Sequence, residues 1–327
     1  MSGKDYRYVF GPVPSRRLGR SLGIDLVPFK TCTYDCIYCQ LGRTTLRTVE
    51  RKEYVPIDDV MDELQAKLSE GQPLDYLTLS GSGEPTLFSR LEELVLRIKG
   101  MTETPLAVLT NGSLLWHDDV RRSLAGVDLV IPSLDIGDAD LFRLVNRPHS
   151  EITFDRMVDG LIQFRQDFPK SIWLEVLLLD GVTALDSEVA KIVKIADVIN
   201  PDRVQVNTAV RPPSEEFAHA VSREELFRFA AAFGDKGEAI GDFQATGSHA
   251  PYPATSSDIL TLLKRRPCTL PDISGGLGIH PNEALKYLNC LMNDGTITGM
   301  IKGRSFFYWL KPGGREKPLP PKPHTRR

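Results

Sequence analysis

The sequence predicts an α/β protein built on parallel strands, followed by a smaller domain of different make-up. Short apolar runs, often β-branched, alternate with amphipathic helical stretches from residue 21 to residue 233, the pattern of βαβ units. Composition then shifts at HAPYPATSS (249–257), which reads as a linker. Charge shifts with it: residues 255–327 carry 12 Lys+Arg against 5 Asp+Glu, while residues 1–254 carry 28 against 38. A basic tail on an acidic body suits an anionic partner, or a solvated surface.

The first strand is expected over 21–29 (SLGIDLVPF), entering a cysteine-rich loop. A helix follows over 56–70, with Val60, Leu64 and Leu68 on one face and Asp58 and Asp59 in its first turn. Strands at 75–81, 105–112, 128–135, 172–180 and 203–208 alternate with helices at 89–100 (closed by Gly100), 187–199 and 222–233, and with helical material through 138–167. Six such units fit an open doubly wound sheet or a partial barrel, and periodicity does not choose. Beyond the linker, 258–266 and 271–278 read as short helices and 280–295 as a third, with Pro281 at its start and Gly295 after it. Residues 296–310 alternate about Lys302-Gly303 as a hairpin would. Three helices and a hairpin make a winged helix-turn-helix. The Pro-rich basic end reads as disordered.

A length of 327 residues accommodates two domains at roughly 100–200 residues each. No apolar run reaches the ~18 residues of a membrane span, and MSGKDYRYVF lacks the apolar stretch of a signal peptide. The expected location is the cytoplasm, without a membrane partner. Thiols stay reduced there, so clustered cysteines point to metal or catalysis before disulfides.

Residues 31–40 read TCTYDCIYCQ, placing Cys32, Cys36 and Cys39 on one loop. Structural zinc asks for four closed ligands. Cys268 and Cys290, the remaining cysteines, lie more than 220 residues further on, in apolar helical surroundings that suit small core residues. Three thiolates suit a [4Fe–4S] cubane with one iron left open to a small molecule. There is no further cysteine group to hold a second cluster.

Other polar residues stand at strand ends, where β/α folds place their sites. Gly81, Ser82, Gly83 and Glu84 follow the second strand, and glycines there let the main chain approach a ligand. Asn111 ends the third strand, Ser133 and Asp135 end the fourth, and Arg147 follows in NRPH. Glu175 and Gln205 interrupt apolar strands, either facing a polar lumen or alternating onto a polar face. Arg16, Arg17 and Arg20 form a basic group that could meet a substrate phosphate or the acidic body.

CxxxCxxC after a first strand, with Tyr38 before the last cysteine, resembles the signature of the radical SAM superfamily. The resemblance covers about residues 10–210, and the run GPVPSRRLGRSLGIDLVPFKTCTYDCIYCQLGRTT is similar to the wyosine-synthase-like subgroup. It implies a partial (β/α)6 TIM-type barrel, expected over 1–248, and the composition and element order place beyond it the 249–257 linker, a winged-helix-like domain over 258–312 and a tail over 313–327. It implies a [4Fe–4S] cluster on Cys32, Cys36 and Cys39, and S-adenosylmethionine (SAM) held through Gly81, Ser82, Gly83, Glu84, Asn111, Ser133, Asp135 and Arg147. In that reading Ser80-Gly81-Ser82-Gly83-Glu84-Pro85 is similar to the family's GGE motif at the SAM amino group, with Ser82 a departure. Asp135 meets the ribose hydroxyls, and Arg147 meets a carboxylate, a substrate anion or a surface acid.

The implied activity is reductive cleavage of SAM to a 5′-deoxyadenosyl radical, which modifies a macromolecule, tRNA being one candidate. No residue is singled out as catalytic for the substrate. A one-electron reductant such as flavodoxin or ferredoxin is an expected partner. A peptide or protein gripped by the winged helix is the alternative substrate. The third helix offers Asn282, Glu283, Lys286, Tyr287 and Asn289 off a Leu285-Leu288-Leu291 stripe, a poor DNA reader with a single base among them. A DNA-binding regulator using the cluster as a redox sensor is a third reading, and it leaves the SAM-pocket residues without a purpose.

Overall fold

The computed structural model describes residues 6–15, 17–240, 255–302 and 305–311. They fall into two compact units, Met1–His249 and Ala250–Arg327. Most of the expected linker, the 313–327 tail, Arg16 and the Gly303-Arg304 tip of the expected hairpin lie outside the described residues.

In the first unit, β1 (Val9–Ser15) and β2 (Gly19–Ile24) form an antiparallel hairpin, and the short β3 (Thr31–Cys32) and β4 (Leu46–Arg47) frame the cysteine loop. Alternation follows: α1 (Ile57–Leu68), β5 (Tyr76–Leu79), α2 (Leu91–Met101), β6 (Leu106–Thr110), α3 (Asp118–Ser123) and β7 (Leu129–Pro132). Then come α4 (Ala139–Val145), α5 (Phe154–Asp167), β8 (Ser171–Leu178), α6 (Asp186–Ile199), β9 (Arg203–Thr208), α7 (Arg223–Ala231) and β10 (Gly237–Ala239).

The sheet runs β1-β2-β5-β6-β7-β8-β9-β10, parallel from β2 onward. This order never reverses. A doubly wound sheet reverses at its switch point, so the chain winds one way only, as a barrel does. Along β8, Ile172, Leu174, Val176 and Leu178 are buried, while Trp173, Glu175 and Leu177 are half-buried. The buried set packs in one core with Leu161 and Phe164 of α5 and Val189 and Ile192 of α6. The opposite face carries a separate apolar layer of Ala107, Leu129 and Ile131, covered by Leu18 from the β1–β2 turn.

Several element limits differ from expectation, each for a local reason. The first strand stops at Ile24, not at residue 29, because Asp25 turns its carboxylate to Ser82 and Lys30 takes φ 59°. The 75–81 strand ends at Leu79, before Gly81 at φ 149°. Gly100 lies inside α2 instead of closing it. The 138–167 stretch is two helices, parted at Arg147 (φ 47°) and Pro148. Asp138 and Thr153 cap them, each accepting from main-chain N–H groups of the first turn. β1, α3 and β10 were not expected; they are short or lie at the sheet edges.

The second unit contains α8 (Ser256–Arg265), β11 (Cys268–Thr269), α9 (Leu270–Leu277), α10 (Pro281–Asn293), β12 (Ile297–Lys302) and β13 (Ser305–Leu310). Its strands pair antiparallel in the order β11-β13-β12. Thr255 with Asp258 and Thr269 with Asp272 form reciprocal capping boxes. α10 buries Ala284, Leu288 and Leu291, with Leu285 half-buried, so Cys290 falls on the exposed side. The expectation that both distal cysteines sit in a core therefore holds only for Cys268, at the start of β11. Far out on the hairpin, Ile301 is 73% exposed and Phe306 39%. The Phe306 ring lies across Gly299, where a Cβ would come within 2.3 Å of it.

Candidate functional site

The cysteine loop is anchored by its apolar residues and its main chain. Tyr34 and Ile37 are buried, and Tyr34 packs edge-on against Phe142 with ring centroids 5.4 Å apart. Ile37 N donates to Val145 O (2.9 Å), Asp35 N to Asn146 O (3.0 Å) and His149 N to Thr33 O (2.8 Å), clamping the loop to the 145–149 segment. The chain spacing then leaves Cys32, Cys36 and Cys39 half-buried on the same loop.

Each of the three sulfurs receives its own side-chain N–H donor. Lys30 Nζ stands 3.0 Å from Cys39 Sγ. Asn111 Nδ2 stands 3.5 Å from Cys32 Sγ, and Asn146 Nδ2 3.5 Å from Cys36 Sγ. Burial pushes the Cys32 thiol up to about 12, with the Glu84 carboxylate adding to it. Burial likewise raises Cys36 well above the ordinary thiol range, followed by repulsion from Cys39 and Cys32. Three ionised thiols gathered on one loop repel one another, and an iron core would supply the positive charge that reconciles them. Among the described residues no three His, Cys, Asp or Glu side chains gather around a single ion. A cubane takes each cysteine on a different iron and does not ask for that. The donor set therefore fits a three-cysteine cluster.

The Gly81–Glu84 turn abuts this loop. A Cβ on Gly83 would lie 1.7 Å from Thr31 O, and one on Gly81 2.5 Å from Asp25 Cγ. The close approach that requires glycine is thus to the protein's own chain. Ser82 Oγ donates to Asp25 Oδ2 (2.5 Å), and Ser82 O accepts from Lys30 N (2.7 Å).

Glu84 is 2% exposed. Its Oε1 accepts from Thr86 N (3.1 Å), Thr86 Oγ1 (2.6 Å) and Thr110 Oγ1 (2.6 Å), and its Oε2 accepts from Asn111 N (2.8 Å). Burial raises its pKa, and these hydrogen bonds oppose the rise. Glu84 therefore fixes Asn111, which in turn reaches Thr33 Oγ1 (2.7 Å) and the Cys32 sulfur.

Asp135 accepts from Leu177 N on Oδ1 (3.0 Å), and from Tyr38 OH and Asn146 Nδ2 (3.1 Å) on Oδ2. Burial lifts its pKa to about 6 against these bonds. The carboxylate expected at a ribose is thus engaged in orienting Tyr38 and Asn146 beside Cys36. Ser133 is half-buried and pairs with Glu175 across the β7–β8 edge.

The outer residues make ion pairs. Arg147 and Arg43 each reach Glu215 Oε1 at 2.5 Å, and Arg43 also pairs with Asp35. Of the meanings left open for Arg147, the contact it makes here is the one to an acid of the protein. Arg17 pairs with Glu175 (2.6 Å), and Arg20 N donates to Asp75. Glu175 also accepts from Asn207, and Gln205 donates to Glu238 (2.6 Å), while the buried Gln205 Oε1 has no hydrogen-bond partner among the described residues.

The sequence-predicted residues are thereby brought together in three chains: Ser82–Lys30–Cys39, Glu84–Asn111–Cys32 and Asp135–Asn146–Cys36. Arg147 and Ser133 lie beside them. Lys30, Thr33, Asn146, Arg43 and Glu215 were missed. A basic residue two places before a cysteine was a readable signal for Lys30; nothing local marked Glu215.

A family model for the radical SAM superfamily matches residues 26–196. The chain belongs to the radical SAM superfamily, whose enzymes use a [4Fe–4S] cluster and S-adenosylmethionine. More particularly, it is 32% identical over 316 residues to the UPF0026 protein of Methanocaldococcus jannaschii, covering 94% of this chain and 97% of that protein. It is 41% identical over 292 residues to a protein named GTPase Obg from Brachyspira hyodysenteriae, but it spans only 43% of that protein's length against 88% of its own. Among solved structures, a radical SAM methyltransferase from Sphaerobacter thermophilus aligns with a TM-score of 0.52 at 16% identity, over 67% of this chain and 64% of that one. That likeness speaks for the fold alone.

Proposed function

We propose that Cys32, Cys36 and Cys39 hold the cluster through three of its irons, and that the protein cleaves SAM reductively to modify a macromolecule. The observation carrying this is the half-buried cysteine trio with one N–H donor per sulfur, abutting the Gly81–Glu84 turn. When bound, the cluster supplies the electron that splits the carbon–sulfur bond of SAM and yields a 5′-deoxyadenosyl radical. The chain's own residues orient and enclose. Gly81, Ser82, Gly83, Glu84, Asn111, Ser133, Asp135 and Arg147 form the SAM pocket in this reading, with Glu84 and Asp135 acting through the residues they hold. The apolar layer under Leu18 keeps water from the lumen. A partial barrel is the architecture this implies, supported by the one-way winding of the sheet. The run from Gly11 to Thr45 supports a place beside the wyosine-synthase-like group.

Anaerobically reconstituted protein should bind about four irons and release 5′-deoxyadenosine when reduced with SAM. Cys36→Ala should lose both. SAM turnover at the wild-type rate in that variant would overturn the assignment.

RNA is the substrate class we favour. The basic excess of residues 255–327 supports it, as does reading the three helices and antiparallel sheet of the second unit as a winged helix. A peptide substrate is favoured instead by the exposed Met300, Ile301 and Phe306 of the hairpin. Removing residues 255–327 should spare cluster assembly and abolish salt-sensitive binding of bulk tRNA. Equal tRNA binding by the truncated protein rejects the RNA role. No helix among the described residues is long and apolar enough to cross a membrane. A cytoplasmic setting, with reduced flavodoxin or ferredoxin as electron donor, completes the proposal.

A further inference from the structure

We propose that Lys30 sets the reduction potential of the cluster, its ammonium acting as a fixed positive charge that favours the reduced state. This rests on the reading that Cys32, Cys36 and Cys39 are the ligands.

Three observations carry it. Lys30 is 3% exposed, and its ammonium donates to a sulfur, Cys39 Sγ at 3.0 Å, and not to a carboxylate. The other two sulfurs receive neutral amides at 3.5 Å, so of the three donors Lys30 alone is charged. The residue is also held from both sides: its N donates to Ser82 O (2.7 Å), and its O accepts from Thr45 N (3.1 Å) and Leu46 N (3.2 Å) at φ 59°.

A buried ammonium is costly without a negative partner. Three thiolates on an oxidised cubane leave one net negative charge, and reduction adds a second. The attraction to Lys30 therefore grows when one electron arrives from an external one-electron donor, and that growth is a rise in potential. No bond to Lys30 forms or breaks. Hydrogen bonds to cluster sulfurs and nearby charge are recognised levers on such potentials. The carboxylates of Glu84 and Asp135 work in the opposite direction whenever ionised, so the positive charge is placed where the site otherwise resists reduction.

The test uses full-length reconstituted protein and the variants Lys30→Met, Lys30→Gln and Lys30→Arg. Iron content is measured, followed by potentiometric titration with dithionite read by electron paramagnetic resonance. The Met and Gln variants should keep their iron, yet show at least a tenfold lower ratio of reduced to oxidised cluster at a fixed potential. For one electron that is a shift of about 59 mV to more negative values. Gln keeps a neutral donor and so separates charge from hydrogen bonding, and Arg should stay within about twofold of wild type. An unchanged potential in the Met and Gln variants at full iron overturns this proposal alone. Equal loss of iron from all three variants overturns it by making Lys30 a purely structural residue. A wild type that takes up no cluster overturns the ligand reading, and this proposal with it.

Discussion

The two units put their polarity in opposite places. The first buries Asp25, Lys30, Glu84, Asp135, Gln205 and Asn207, each below 9% exposure and most tied to a neighbour near the cysteine loop. The second, among its described residues, buries no charged side chain; Ser274 is its buried polar residue, and its acids cap helices at the surface. Most of its exposed large apolar side chains gather on one hairpin, at Met300, Ile301 and Phe306, whereas those of the first unit, such as Leu96, Leu144, Val198 and Phe227, are scattered over separate helices. Buried polar networks are costly to leave half-satisfied, so a fold keeps them where orientation matters. Exposed apolar residues gathered on a hairpin suit contact with something else. The contrast supports the proposal that the first unit orients the chemistry and the second meets the substrate.

Glu84 is where this contrast breaks first if it is wrong. Glu84→Ala strands four donors: the N–H groups of Thr86 and Asn111 and the hydroxyls of Thr86 and Thr110. Buried donors left unpaired cost about 1–3 kcal/mol each where they cannot relax. Urea unfolding of the metal-free protein should show a loss of about 3–5 kcal/mol, with SAM affinity falling as Asn111 is freed. A loss below about 1 kcal/mol would mean that the network is decorative.

A smaller effect separates the units by pH. Burial raises Asp135 from 3.8 to about 6 in the folded chain. The folded state then holds the proton more tightly than the unfolded one. Its contribution is fully present below pH about 4 and is lost as pH rises through about 6. The metal-free first unit should lose up to about 3 kcal/mol across that window, on top of whatever other groups contribute. Asp135→Asn should flatten that component. Denaturant midpoints measured from pH 4 to pH 7 for both proteins check it, and identical slopes would contradict it.

How far the sequence could be read follows from the same contrast. Residue spacing is local, so CxxxCxxC, the helical stripe of α1 and the Pro281 start of α10 were all readable. The order of alternating runs gave the parallel sheet. What stayed hidden depended on distant partners. β1 and β10 exist because the sheet has edges to pair with, and β10 is only three residues long. Glycines 81 and 83 read as positions where the main chain approaches a ligand, and what they approach in the structure is the 25–31 segment, over 50 residues earlier in sequence. Asp135 read as a ligand contact because an acid at a strand end is a local signal. That Tyr38 and Asn146 occupy it is decided by a loop almost 100 residues away and by the break between α4 and α5.

The smallest expected change in stability tests the other side of the comparison. Ile301 is 73% exposed, so its side chain gains little from folding. Ile301→Asp should therefore shift the stability of the protein by no more than about 0.5 kcal/mol, and cluster loading and SAM cleavage without substrate should match wild type. Recognition is where the change should register. On the favoured RNA reading, an added acid beside Lys302 repels phosphate, and bulk tRNA binding should weaken by several-fold at low salt and converge with wild type as salt rises. On the peptide reading, the lost apolar contact weakens binding of a peptide equally at all salt concentrations. A variant that binds both as wild type does, while folding normally, would leave the exposed hairpin without a role in recognition and would remove the second half of the contrast between the units.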